Sequence, residues 1–156
     1  MKLEDEIKQY RFKNPFQKAG INLVYTVSMM QNRHMRMLKQ FDLTIPQFNI
    51  LRILRGQHPN STSVNDLIER MLDKSSNASR IVDKLFIKKL VTRKVSATDR
   101  RSVEVGITAT GLAILQKIDE QEREFYFGEG AFSADEAELL NDLLDKGRAK
   151  FNEQKF

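Results

Sequence analysis

The hydrophobic period of this chain changes twice, and those changes restrict its fold more than any other feature. Up to Leu90 the apolar residues recur at helical spacing, ending in the i, i+3, i+4, i+7 series Ala78, Ile81, Val82 and Leu85. Beyond Leu90 the pattern alternates. Val91-Thr92-Arg93-Lys94-Val95 and Ser102-Val103-Glu104-Val105-Gly106-Ile107 read as two strands, joined by Ser96-Ala97-Thr98-Asp99-Arg100-Arg101. From Thr108 the helical spacing returns with Leu112, Leu115 and Ile118. The expected fold is therefore mainly α, interrupted by one small β-hairpin with a basic tip.

The helices carry their own punctuation. Asn14-Pro15 supplies an N-cap and a proline at the first helical position. Two heptad-spaced rows follow, Phe16, Leu23, Met30, Met37 and Gly20, Val27, His34, Phe41. They predict one apolar stripe along a helix of about seven turns, long enough to be used at both ends, against a partner chain. Thr44 and Gln47 have capping-box spacing and open a helix with Phe48, Ile50, Leu51, Ile53 and Leu54, which the turn residues Gly56 to Thr62 end. Ser63 and Asp66 repeat the capping spacing before a short helix whose apolar side is Leu67, Ile68, Met71 and Leu72. Asp73 is the expected cap of the helix that carries Ala78 to Leu85. The helix that starts at Thr108 keeps Phe125 on its apolar side and breaks over Phe127 to Ala131. Ser133 and Glu136 then box a last helix with Leu139, Leu140, Leu143 and Leu144. The order is four helices, the hairpin, and two more helices.

At 156 residues and 40% hydrophobic content, with three prolines and seven glycines, the chain fits one folded domain rather than a disordered segment. It contains no cysteine, which excludes disulfides, thiolate metal sites, cysteine nucleophiles and thiol redox sensing. The longest uncharged run, Ala19 to Asn32, has 14 residues, too short and too polar to span a bilayer. Acids stand at the N-terminus (Glu4, Asp5, Glu6) where a secretory signal needs cations, so a cytoplasmic chain is expected. His34 falls on the apolar stripe and His58 in a turn; neither has a metal-spaced partner, and His34 is expected to be packed or interfacial. No phosphate-cradling glycine loop, nucleophile elbow or paired catalytic carboxylate is present, so neither an enzyme nor a cofactor-binding protein is expected.

The net charge of +5 is modest but unevenly placed. Between Lys74 and Arg101 stand nine cations and only two acids, Asp83 and Asp99, so this stretch carries +7 and the rest of the chain −2. The polar face of the Ala78–Leu85 helix reads Ser75, Ser76, Asn77, Ser79, Arg80, Asp83 and Lys84: small hydrogen-bonding groups first, then cations. A helix–turn–helix lays such a face against base edges in the major groove. An arginine on the hairpin tip can enter the minor groove, and Asp99 lies close enough to Arg101 to hold it.

At these residues the sequence resembles the MarR family of winged-helix transcriptional regulators. The resemblance runs through Ser75 to Leu85, Leu90-Val91-Thr92-Arg93, Thr98-Asp99-Arg100-Arg101-Ser102, and Ile107-Thr108 with Gly111 three residues on. It implies a single domain over 1–156, with a winged helix–turn–helix core at 44–108. N- and C-terminal dimerisation helices would lie at 1–41 and 109–156, in a triangular homodimer on double-stranded DNA. It further implies that Ser75, Ser76, Asn77, Ser79 and Arg80 meet the major groove, Lys84 phosphates, and Arg101 the minor groove, with Asp99 orienting it and Arg100 beside it. Repression at a pseudo-palindromic operator, released by a small molecule, would be the expected mode. Tyr25, Met29, Met30, His34 and Phe48 are candidates for an effector pocket. One departure is visible: Lys89 stands where the family usually has glycine, so a positive φ there would cost about 1 kcal/mol. Two readings of the basic surface compete with a regulator: a winged-helix module for an acidic protein partner, and a nonspecific architectural DNA protein.

Overall fold

The computed structural model describes residues 1–95, 102–122 and 130–153. Its elements are α1 (Leu3–Ile7), α2 (Pro15–Lys39), α3 (Ile45–Gln57), β1 (Thr62–Ser63), α4 (Val64–Arg70), α5 (Ala78–Ile87), β2 (Val91–Val95), β3 (Val103–Ile107), α6 (Ala109–Glu122) and α7 (Ala134–Glu153). Met1–Glu120 and Gln121–Phe156 form two compact units. The fold is mainly helical with a small antiparallel sheet, in agreement with the expected class.

Local chemistry sets the helix starts. Asn14 accepts from the Gln17 N–H, with Pro15 at the first helical position. Thr44 with Gln47 and Ser63 with Asp66 close complete capping boxes, each satisfying two backbone donors at a helix start. Thr108 caps α6, its hydroxyl accepting from the Gly111 N–H at 3.1 Å. One expected cap is corrected: Asn77, not Asp73, caps α5, and its side chain accepts from the Arg80 N–H. The Asp73 carboxylate is already occupied by Ser75 and Ser76, so the helix begins four residues later.

Helix ends are equally specific. Lys89 has φ 60°, and the Leu90 and Lys89 amides donate to the Leu85 and Phe86 carbonyls. This is a Schellman end built on lysine, with the left-handed residue where glycine was expected to be preferred. Asp42, at φ 53°, ends α2 in the same way, with Leu43 and Asp42 donating to Leu38 and Lys39.

The core lies among α3, α4, α5, the sheet and α6. Ile50, Leu51, Leu54, Leu67, Val82, Leu85, Val105, Leu115 and Ile118 are all buried in one cluster, joined by Leu38 from the end of α2. Gly111 lets α6 start against the hairpin: a Cβ there would press on the Leu90 carbonyl oxygen and lie 2.8 Å from Ile107 Cγ1.

Three expectations need correction. β1 is an additional strand, pairing Thr62 with Val105 and Ser63 with Glu104; two residues carry too little periodicity to be seen. α1 is an additional short helix, held by the Glu4–Lys18 ion pair, the Tyr25 hydroxyl donating to Glu6 at 2.9 Å, and the burial of Leu3. The α4 side narrows to Leu67 and Met71, with Leu72 89% exposed because the helix ends before it. On the α2 stripe, expected to lie against a partner chain, His34 is buried within this chain and Phe16 is 86% exposed.

The second unit contains α7. Ser133 and Glu136 form its cap, the Ser133 N–H donating to Glu136 Oε2 at 2.8 Å and the Glu136 N–H to Ser133 Oγ at 3.2 Å. Its leucines are not buried: Leu139 is 59% and Leu143 58% exposed.

Candidate nucleic-acid interface

The polar side of α5 is assembled by the turn that precedes it. Asn49 on α3 anchors that turn by accepting from the Leu72 N–H at 3.1 Å. Asp73 Oδ1 accepts from the Ser75 N–H at 3.0 Å and the Ser75 hydroxyl at 2.6 Å, and Oδ2 accepts from the Ser76 hydroxyl at 2.9 Å. These bonds, Ser75 first and Ser76 second, hold the Asp73 carboxyl below the usual carboxylate range. Both serine protons are thereby committed, and each Oγ turns lone pairs outward as an acceptor. Asn77 is complementary: its Oδ1 is occupied by the Arg80 N–H, which leaves its amide protons to donate. The start of α5 thus presents two acceptors and a donor, a vocabulary suited to the amino groups and carbonyls of base edges.

Ser79 and Arg80 lie exposed in the first turn of α5 and Lys84 one turn later, outside the buried line of Ala78, Val82 and Leu85. The structure therefore places Ser75, Ser76, Asn77, Ser79 and Arg80 at the start of α5 and Lys84 in its last turn. Neither Arg80 nor Lys84 has an ion-pair partner among the described residues. Asp99, Arg100 and Arg101 lie outside the described residues. The strands on either side of them are described, with Val95 opposite Val103 as the last pair.

Two contacts in this region escaped the sequence reading. Asp83 on α5 accepts from Arg93 on β2 at 2.6 Å, tying α5 to the hairpin. Lys88, at the end of α5, meets Asp42 Oδ2 at 2.9 Å and ties the same helix to the end of α2. Ten residues separate Asp83 from Arg93 and 46 separate Asp42 from Lys88, so neither pair shows as a local motif.

Behind the interface, α2, α3 and α6 meet in a charged and aromatic cluster. The His34 ring stands edge-on to Phe48 at 5.0 Å between centroids. Arg52 lies over the same Phe48 ring and pairs with Asp119 at 3.0 Å, and Arg55 reaches that carboxylate at 2.5 Å. Burial, and secondarily the Arg52 charge, lowers the His34 pKa from 6.5. His34 is packed, as expected of a residue on the apolar stripe.

Two spaces among the described residues do not gather the candidate effector residues. Tyr25 lines a space of about 390 Å³ with Ile7, Gly20, Ile21, Val24 and Ser28. A space of about 670 Å³ beside α5 is lined by none of Tyr25, Met29, Met30, His34 or Phe48. Among the described residues no cluster of three or more His, Asp or Glu could hold a metal ion, and no helix is long and apolar enough to cross a membrane.

The sequence pattern of the MarR family matches residues 41–102, which run from just after α2 to just before β3. An HTH-type transcriptional regulator of Bacillus subtilis, YpoP, is 33% identical over 86 residues, 55% of this chain; the match spans 60% of that regulator's length. A MarR transcription factor from Planctomyces limnophilus is 31% identical, with a TM-score of 0.66 over 86% of this chain and 98% of that one. A cysteine-to-serine variant of MarR from Escherichia coli, crystallised with operator DNA, is 23% identical and shares the fold with a TM-score of 0.70, covering 94% and 98% of the two chains. These relatives are transcription regulators, not enzymes.

Proposed function

Because the chain belongs to the MarR family of winged-helix transcriptional regulators, we propose that it binds a pseudo-palindromic operator in the cytoplasm as a homodimer. There it represses transcription until a small molecule releases it. The observation that carries this reading is the start of α5, where Ser75, Ser76 and Asn77 are oriented by Asp73 and by the helix cap near Arg80, with Lys84 further along the same helix. The serines and Asn77 read base edges, Ser79 and Arg80 extend the contact, and Lys84 neutralises a phosphate. Arg101, steadied by Asp99 and flanked by Arg100, enters the minor groove. Dimerisation uses the helices of 1–41 and 109–156, supported by the uncovered apolar residues Phe16, Val24, Leu139, Leu143 and Phe151.

A gel-shift titration over increasing salt, with a preferred duplex and its scrambled counterpart, tests the reading. The expected result is a specificity ratio of about 10³ or more that persists as salt rises. Arg101→Ala should weaken binding by about 1–3 kcal/mol and lower the preference for A·T flanks. Lys84→Ala should weaken all sequences alike and flatten the salt dependence. A chain that binds both duplexes equally is an architectural DNA protein. One whose weak attachment disappears with salt fits a module for an acidic protein partner.

A further inference from the structure

The turn before α5 is held at two points that do not involve the Asp73 side chain. The Leu72 N–H donates to Asn49 Oδ1 at 3.1 Å, and the Ser76 N–H donates to the Asp73 carbonyl at 3.4 Å. The Asp73 carboxylate does something else. Its Oδ1 accepts from the Ser75 N–H and the Ser75 hydroxyl, at 3.0 and 2.6 Å, and its Oδ2 accepts from the Ser76 hydroxyl at 2.9 Å. No ion pair among the described residues includes Asp73, so the carboxylate is spent on the two serines. A free serine hydroxyl donates or accepts and therefore suits any base edge. These two hydroxyls have lost that freedom, because an ionised carboxylate only accepts and so fixes the direction of both protons. Asn77 is set separately: its Oδ1 is held by the Arg80 N–H at 3.1 Å.

We propose that Asp73 is a positioning residue for sequence choice: by making Ser75 and Ser76 acceptors, it commits both to an amino base, adenine or cytosine, and against a keto base, guanine or thymine, on the contacted strand. The inference rests on the DNA-reading function proposed above. In the major groove adenine N6 and cytosine N4 donate, whereas guanine O6 and thymine O4 accept and would face a serine acceptor with no proton between them. Asparagine at position 73 has the same shape and separates the two serines. The Ser75 N–H can only donate, so the amide oxygen must keep the place of Oδ1 and the amide nitrogen must take that of Oδ2. That nitrogen donates to Ser76 Oγ and releases the Ser76 proton outward. Ser76 then becomes a donor and its base changes from amino to keto, while Ser75 remains an acceptor and Asn77 a donor.

The test selects preferred duplexes from a random library with the full chain, as wild type, Ser76→Ala and Asp73→Asn. Ser76→Ala should relax one position in each half-site, which identifies the base that Ser76 meets. The wild type should hold adenine or cytosine there, and Asp73→Asn should enrich guanine or thymine at that position alone. A second measurement needs no Asp73 variant. Purine in place of adenine, or 2-pyrimidinone in place of cytosine, deletes only the amino group; at that position it should weaken the wild type about fivefold, the size of one hydrogen bond, and weaken Ser76→Ala much less. A keto base at that position in the wild type, an unchanged preference in Asp73→Asn, or equal losses of the two proteins on the analogue duplex overturns the proposal. So does Ser76→Ala that relaxes no position. Loss of preference at every position alike in Asp73→Asn shows that Asp73 only holds the turn, which also overturns it. A wild type without any preferred duplex overturns the proposed function itself, a result distinct from all of these.

Discussion

Two leucine-rich regions of this chain have opposite surroundings. In the helix–turn–helix core Leu51, Leu54, Leu67 and Leu85 are fully buried, while Leu139 and Leu143 on α7 remain more than half exposed. Their local chemistry is alike. α4 opens on Ser63 with Asp66, α7 on Ser133 with Glu136, and both boxes close. A capping box sets where a helix starts; it carries no information about what covers the helix. The core covers its own apolar side chains, whereas α7 and the first half of α2 present theirs for another surface to cover. The first region holds its shape by itself; the second is where the proposed dimerisation would bury apolar surface.

Truncating one leucine in each region should separate them most sharply. Leu54→Ala removes a fully buried side chain and should cost about 2–5 kcal/mol in denaturant unfolding. Leu143→Ala should leave the midpoint of the core transition within about 0.5 kcal/mol, since exposed positions seldom matter more. It should instead weaken self-association in sedimentation. A loss at Leu143 as large as that at Leu54, without any change in association, would erase the distinction.

Gly111→Ala is next in size. The added methyl meets the Leu90 carbonyl oxygen and Ile107, both fixed by the hairpin, so a loss of about 1–3 kcal/mol is expected. Gly147 on α7 has open space around its Cα, and Gly147→Ala should instead stabilise its helix by up to about 1 kcal/mol. Lys89→Gly should raise stability by about 1 kcal/mol or less, because glycine occupies φ 60° without the steric penalty lysine meets.

The smallest effect is the pH dependence at His34. Its folded pKa is lowered from 6.5 by burial and by Arg52, so below pH 6.5 the unfolded chain takes up the proton first. Stability from this group is complete above pH 6.5 and declines as pH falls from there toward the folded value. His34→Gln should remove that component from urea midpoints measured between pH 7.5 and pH 5.5. Asp73 acts in a separate, more acidic window: its pKa is lowered from 3.8, so its contribution is lost only as pH falls through the folded value.

How much was legible in the sequence follows the same division. Helix starts depend on residues three apart, and Thr44 with Gln47 or Ser133 with Glu136 could be read directly. The hairpin was visible as a change of period, and Gly111 as a glycine three residues beyond Thr108. Where two caps competed the sequence could not choose: in Asp73-Lys74-Ser75-Ser76-Asn77 either acid or amide can cap, and the serines decide by occupying Asp73. The polar composition of the interface could be read, but not the direction of its hydroxyl protons. Asp83 with Arg93, α1 against α2, and β1 against β3 all depend on chain reversals that no local pattern encodes. The α2 stripe could be read as an apolar face, but not how much of it this chain covers itself, because such a stripe looks the same whether its own chain or a second copy covers it.

Selection of this chain's preferred sites from a random duplex library tests the proposed reading head most directly. A C2 dimer with one α5 in each major groove should enrich a pseudo-palindrome whose half-site centres lie about 10 bp apart. Enrichment of a single unsymmetrical site, or of no site above the input library, would contradict it.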